Sequence, residues 1–398
     1  MFTTLSRLPA NVWIIALSLS LAFSGVPLLV LISGLLAAEL APVKEMATLP
    51  LALNVIGVAV SSIPAALLAK RIGRKATGFT GLTLSFCGSL LCAFSTFVGS
   101  FTFLLIGAFF IGTSSAVFQQ FRFAAIESLQ YKEDTGPAIS MILLCSVIAG
   151  FIGPEIGERG RDLIPQAHYA GSFLLMACVT IIAMLVWTRF SNPVVVAQQD
   201  EGKARPLSVI IKQPVFFIAL SASLIGYAVM SFLMTSTPIS MTAMHGHSLV
   251  DSKWVIQSHL AAMFAPSLIT GFLIQRFGLA SILVTGSLLF IAVLIVALQG
   301  HALMHYWWSL VLLGLAWNFL FISGTSLLPQ SYRHSERFKV QAVNDFAVFS
   351  SQALASLSAG WVLFQLGWEK QVWMCAPPCL LMLGISIYWL LREKHNSP

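Results

Sequence analysis

Long apolar runs broken by short polar stretches set the pattern of this chain. Six runs, near residues 12–38, 49–69, 78–97, 101–121, 137–156 and 168–190, precede a polar segment. Six more follow it, near 214–237, 253–274, 279–299, 305–328, 339–366 and 371–391. Each run is about 20 residues or longer, the length at which an α-helix crosses a ~30 Å hydrocarbon core. Helices also satisfy their own backbone groups, as lipid requires. The pattern predicts an all-α membrane protein with twelve transmembrane helices. The polar segment Ser191 to Gln213 holds Asn192-Pro193, Gln198, Gln199, Asp200, Glu201, Lys203 and Arg205, which cannot stay in lipid. The chain therefore divides into a half at 1–190, a linker at 191–213 and a half at 214–398. The first run, Val12 to Ala38, lacks a small-residue cleavage site after a short core and reads as a span rather than a leader.

Composition sharpens this. With 57% hydrophobic and 9% charged residues and a mean hydropathy of +0.86, the chain is far from the roughly 25% charge of soluble domains. A net charge of +7 would suggest an acidic partner in a soluble protein, but here it encodes topology. With both termini in the cytoplasm, 17 Lys and Arg fall on the inner side and five outside, namely Lys44, Arg159, Arg161, Lys253 and Lys370. The positive-inside rule selects that orientation, and the expected location is a bacterial cytoplasmic (inner) membrane. All six cysteines lie in apolar runs, so no disulfide framework is implied. No nucleotide-binding loop, soluble nucleophile or nucleic-acid motif is present, and neither catalysis nor a nucleic-acid partner is expected.

An internal echo supports two related halves. Ala66-Leu-Leu-Ala-Lys-Arg71-Ile-Gly73 after span two is matched 205 residues later by Gly271-Phe-Leu-Ile-Gln-Arg276-Phe-Gly278 after span eight. The run Leu68-Ala-Lys70-Arg71-Ile-Gly73-Arg74-Lys75 resembles the short cytoplasmic signature of the major facilitator superfamily. That resemblance implies two pseudo-symmetric six-helix bundles and transport by alternating access. The chain departs from the signature at Ala66, where a Gly is usual, and at Lys70, where an Asp is usual. Gly107 and Ala108 occupy the neighbourhood of the superfamily's arginine in span four, so coupling through that arginine does not carry over.

Soft donors are concentrated between Met230 and Met263, which hold eight of the chain's 21 Met and His residues. Met230 and Met234 in span seven, and His259 and Met263 in span eight, stand four apart and share a helix face. Thioethers and imidazole without carboxylates suit Cu(I) better than Zn, Mg or Ca. The intervening Met241, Met244, His245 and His247 lie in an expected outer loop, placed to capture metal. The competing reading of the methionines is adaptable core packing, and of His259 an interhelical hydrogen bond. The paired motifs, with His259-Leu-Ala-Ala-Met263-Phe-Ala-Pro266 and Gln341-Ala-Val-Asn344-Asp345-Phe346, are similar to the CcoA-like copper importers that supply haem–copper oxidase assembly in bacteria. That likeness implies Cu(I) as transported substrate, with no cofactor, and copper chaperones or oxidase assembly factors downstream. A monomer is expected. A related branch imports riboflavin, and in that alternative Met230, Met234 and Met263 line an apolar cavity while His259 donates a hydrogen bond.

Arg122, Glu127 and Asp345, with Arg71 and Arg276 of the echoed loops, are candidates for an inner gate or for coupling. Cys375 and Cys379 in span twelve are a weaker soft pair, disturbed by Pro377-Pro378. Tyr306-Trp307-Trp308 reads as an interfacial anchor. A membrane haem enzyme is disfavoured because only His259 is deep enough to serve as an axial ligand.

Overall fold

The computed structural model describes residues 8–129, 135–193 and 205–396, so most of the linker's charged residues lie outside the described part. The described residues are helical and contain no strand. Among them, nine helices are long and apolar enough to cross a membrane, and a bent pair, Leu249–Phe264 with Ser267–Phe277, makes a tenth. Two further crossings complete the expected twelve. One is the 25-residue helix Thr135–Arg159. The other arises because Leu49–Val98 is two helices joined at Gly73, whose φ of 83° is a left-handed conformation natural to glycine.

Contacts with span four, Phe101–Gln119, show that the chain reverses at Gly73. Before it, a Cβ on Gly57 would meet Phe109 and Thr113, and Ser61 bonds Thr113. After it, Gly81 faces Val117, Gly88 faces Gly107 and Cys92 reaches the Leu104 carbonyl. Sequence number rises along span four in the first limb and falls in the second. Close approach depends on small residues, as expected where lipid removes the hydrophobic drive between helices. Asn54 Nδ2 then donates to the Ala108 carbonyl at 3.2 Å.

The residues pack into two compact units. Unit 1 comprises Met1–Val196 with Ser248–Gln257, and unit 2 comprises Ala197–His247 with Ser258–Pro398. Unit 1 is closed at one end by Trp187, stacked between Phe121 and Phe190 at 4.3 Å to each ring. Its Nε1 donates to the Lys75 carbonyl at 2.9 Å, and its ring lies over Gly78. Beside it Lys75 Nζ donates to the Thr188 carbonyl at 2.7 Å. Within unit 1, Lys253 also pairs with Glu155 at 2.9 Å and Glu158 at 3.4 Å.

Unit 2 is built on span seven, Pro214–Ile239, packed along spans ten (Leu303–Leu327) and eleven (Arg337–Leu366). Hydroxyl and amide contacts tie the helices together. Ser356 bonds Ser231 and Thr235, and Gln371 Nε2 donates to the Phe232 carbonyl and Ser236 Oγ. Such bonds contribute about 0.6 kcal/mol each in membranes. Where the linker re-enters the described chain, Arg205 grips the buried Glu336 through Nε at 2.9 Å and Nη2 at 2.7 Å.

Candidate functional site in unit 2

Span eight breaks where the sequence requires it. Pro266 has no N–H to continue the ladder, and the two parts of the span meet at 43°. Asn318 of span ten clasps the break. Its Nδ2 donates to the Met263 carbonyl at 2.7 Å and to Ser267 Oγ at 2.6 Å, while its Oδ1 accepts from Thr270 Oγ1 at 2.7 Å. Gly314, one turn earlier in span ten, lets the backbones touch: a Cβ there would stand 2.6 Å from the His259 carbonyl and 3.0 Å from the Met263 nitrogen.

This packing fixes His259, which is fully buried at 0% exposure. Its Nδ1 lies 2.7 Å from the Leu310 carbonyl. A carbonyl can only accept, so Nδ1 carries the hydrogen and Nε2 of the neutral ring is a lone-pair acceptor. That Nε2 is buried and has no partner among the described residues. The ring therefore offers an acceptor rather than the donor expected for an organic solute. Met263 is buried one turn below, and Met230 and Met234 are buried on span seven. Among the described residues no group of three or more His, Cys, Asp or Glu could hold a metal ion, so ligation here would rest on the thioethers. Cys375 and Cys379 are buried free thiols on either side of a break at which the helix restarts at Ala376.

The structure adds an aromatic cluster that sequence spacing did not single out. Trp317 stacks on Phe321 at 4.8 Å and 14°. Tyr227 stands edge-on to both, at 5.2 and 5.4 Å. Phe264 meets Trp317 at 5.9 Å, and Phe349 meets Tyr227 at 6.1 Å. Four spans thus contribute rings, and Tyr227 stands three and seven residues before Met230 and Met234 on one helical stripe. Trp317 is 3% exposed, yet its Nε1–H has no acceptor among the described residues. One signal was available in the sequence: tryptophan favours the membrane interface, and this one stands mid-span.

The candidate capture residues in the turn after span seven differ in exposure and partners. Met241 is buried and Met244 exposed. His245 stacks on His301 at 3.8 Å, and its Nδ1 contacts the Ser240 carbonyl at 2.8 Å and Tyr306 Oη at 3.0 Å. His247 Nε2 reaches the His301 carbonyl at 2.7 Å. Burial, then the facing His245, holds the His301 imidazole below its usual pKa, against a weaker pull from Glu369. Tyr306 is not an interfacial anchor: it is buried and bonds Ser240 Oγ at 2.7 Å, leaving Trp308 as the exposed member of that stretch.

The candidate gate residues are dispersed. Glu127 makes a two-point ion pair with Arg74, through Nε at 3.0 Å and Nη2 at 2.6 Å. This places a charge interlock on the signature loop although Lys70 replaces its usual Asp. The Arg122 side chain lies outside the described part. Arg71 is exposed, Arg276 packs over the Phe277 ring at 5.6 Å, and Asp345 accepts from Asn344 Nδ2 at 3.2 Å.

Comparison with known proteins places this arrangement. A family model described as Major Facilitator Superfamily matches residues 12–337 and 234–398. The riboflavin transporter RfnT of Brucella anthropi is 34% identical over 388 residues, covering 96% of both chains. The uncharacterized MFS-type transporter YddS of Bacillus subtilis is 26% identical, over 92% of this chain and 87% of its own. The crystal structure of the human organic anion transporter MFSD10 (TETRAN) superposes with a TM-score of 0.67 at 14% identity, covering 95% of this chain and all of that one. That likeness establishes the fold alone.

Proposed function

This chain belongs to the Major Facilitator Superfamily, and from that premise we propose that it imports riboflavin, or a flat heteroaromatic solute of that kind, across a bacterial cytoplasmic membrane. The aromatic cluster around Trp317 is the observation that carries the reading. Offset and edge-on ring contacts each contribute about 0.5–1.5 kcal/mol beyond area, and a planar tricyclic ring presents two large faces to such surfaces. The name of the Brucella relative points the same way. The cytoplasmic termini rest on the 17-to-five distribution of basic residues, and import rests on the resemblance to importing members of the family.

One observation favours copper as a second reading. A metal-binding imidazole commonly donates its other N–H to a backbone carbonyl, and His259 does so to Leu310 while Met263 lies one turn away. Uptake of labelled riboflavin and of radioactive copper, in cells with and without the gene, separates the two. Flavin uptake that survives Met230→Leu, a change that keeps volume and removes the thioether, is the expected result. Copper accumulation that Met230→Leu abolishes, with no flavin uptake, would overturn it.

A further inference from the structure

Several buried polar atoms of unit 2, Ser323 Oγ, Gln371 Oε1 and Trp389 Nε1 among them, have no partner among the described residues, and two of these atoms belong to rings of the broken-span and aromatic region. His259 Nε2 is an acceptor and Trp317 Nε1–H a donor, both on side chains at least nine-tenths buried. Buried polar groups are normally paired, and each exception calls for a cause. Fold requirements do not supply one. His259 is already anchored through Nδ1, and Trp317 is held by Phe321, Tyr227 and Phe264, so neither ring needs its free nitrogen for packing. A trapped water is a poor answer at Trp317, because a buried water needs two to four polar partners and the ring contacts there are aromatic.

Resting on the reading of this chain as an importer of flat heteroaromatic solutes, we propose that His259 and Trp317 are its specificity residues. His259 Nε2 accepts from a ring N–H, and Trp317 Nε1–H donates to a ring carbonyl. The ligand class is then a heteroaromatic ring bearing a lactam or imide edge, and aromatic rings without an N–H are discriminated against. A site built to bond a polar group rejects the analogue lacking it, because its own buried group is left unpaired.

Competition for labelled riboflavin uptake by riboflavin and by its N3-methyl derivative, which keeps the ring faces and removes the N–H, tests this. In the unaltered protein the methyl derivative should compete about tenfold less well. His259→Phe should erase that difference by weakening riboflavin alone. Trp317→Phe should weaken both compounds about tenfold and leave their ratio unchanged. Equal competition by the two compounds in the unaltered protein, or a tenfold ratio that survives His259→Phe, overturns the assignment. His259→Leu, which likewise has no acceptor and should erase the ratio, serves if the Phe variant does not accumulate in the membrane, and a full ratio in it also overturns the assignment. Absence of riboflavin uptake in the unaltered protein is a separate result, refuting the functional reading instead.

Discussion

Each unit contains a buried tryptophan stacked on a phenylalanine about one helical turn away, and the two do different work. Trp187 of unit 1 lies between Phe121 and Phe190, with its Nε1–H bonded to the Lys75 carbonyl. Every feature of that ring is satisfied from within the protein. Trp317 of unit 2 has comparable stacking on Phe321, but its Nε1–H has no acceptor among the described residues. Stacking alone does not mark a binding site. The unsatisfied donor, which Trp389 shares, separates Trp317 from Trp187 only together with its place in the four-span aromatic cluster.

The comparison breaks most sharply at Trp187. Trp187→Ala removes both stacks and the bond to Lys75, and should cost on the order of 3–5 kcal/mol, seen as poor accumulation in the membrane and a lowered thermal midpoint in detergent. A stable Trp187→Ala protein would mean that this stack does not hold unit 1 closed. Next in size is Asn318→Leu, which leaves the Met263 carbonyl, Ser267 and Thr270 without the clasp. A loss of about 1–3 kcal/mol is expected, with weaker solute uptake as the segment around His259 loosens. Trp317→Phe should fall lower still on the stability scale, within about 1.5 kcal/mol of the unaltered protein, because it deletes an unpaired donor and keeps a ring face. Large destabilisation by Trp317→Phe would make the two tryptophans alike and remove the distinction.

A second pair compares the units at their polar ends. Unit 1 closes the signature loop with Arg74 and Glu127, and unit 2 closes the linker's exit with Arg205 and Glu336. Hydrogen bonds from Arg205, then those from the Arg333 and Arg205 backbone, hold the Glu336 carboxyl at about 2, from an ordinary 4.5. A carboxyl lowered on folding stabilises above its unfolded value and loses that contribution as pH falls through the folded one. The thermal midpoint of the unaltered protein should therefore drop between pH 4.5 and 2 by more than that of Glu336→Gln, a small effect read by parallel melts. Equal slopes would show that the pair does not contribute.

How much could be read in advance differs by element. The runs, their lengths and the 205-residue echo predict twelve helices, and the signature loop locates the reversal at Gly73. The four-residue spacing of His259 and Met263 identifies the busy part of span eight. Glu127 was singled out, but its partner Arg74 is 53 residues distant in sequence, and no helical period connects them. Tyr227, Phe264, Trp317 and Phe349 come from four spans and meet only across helix interfaces.

What the sequence determines by itself here is the solvent each segment requires. Apolar length, Gly and Pro punctuation and the balance of basic residues follow from transfer free energy and backbone hydrogen bonding, which are local properties. Tertiary structure decides which polar atoms are already satisfied. The Leu310 carbonyl takes the His259 Nδ1 hydrogen, the Lys75 carbonyl takes that of Trp187, and no acceptor among the described residues reaches Trp317. Those pairings depend on where a neighbouring helix places its backbone, and a sequence has no term for that distance.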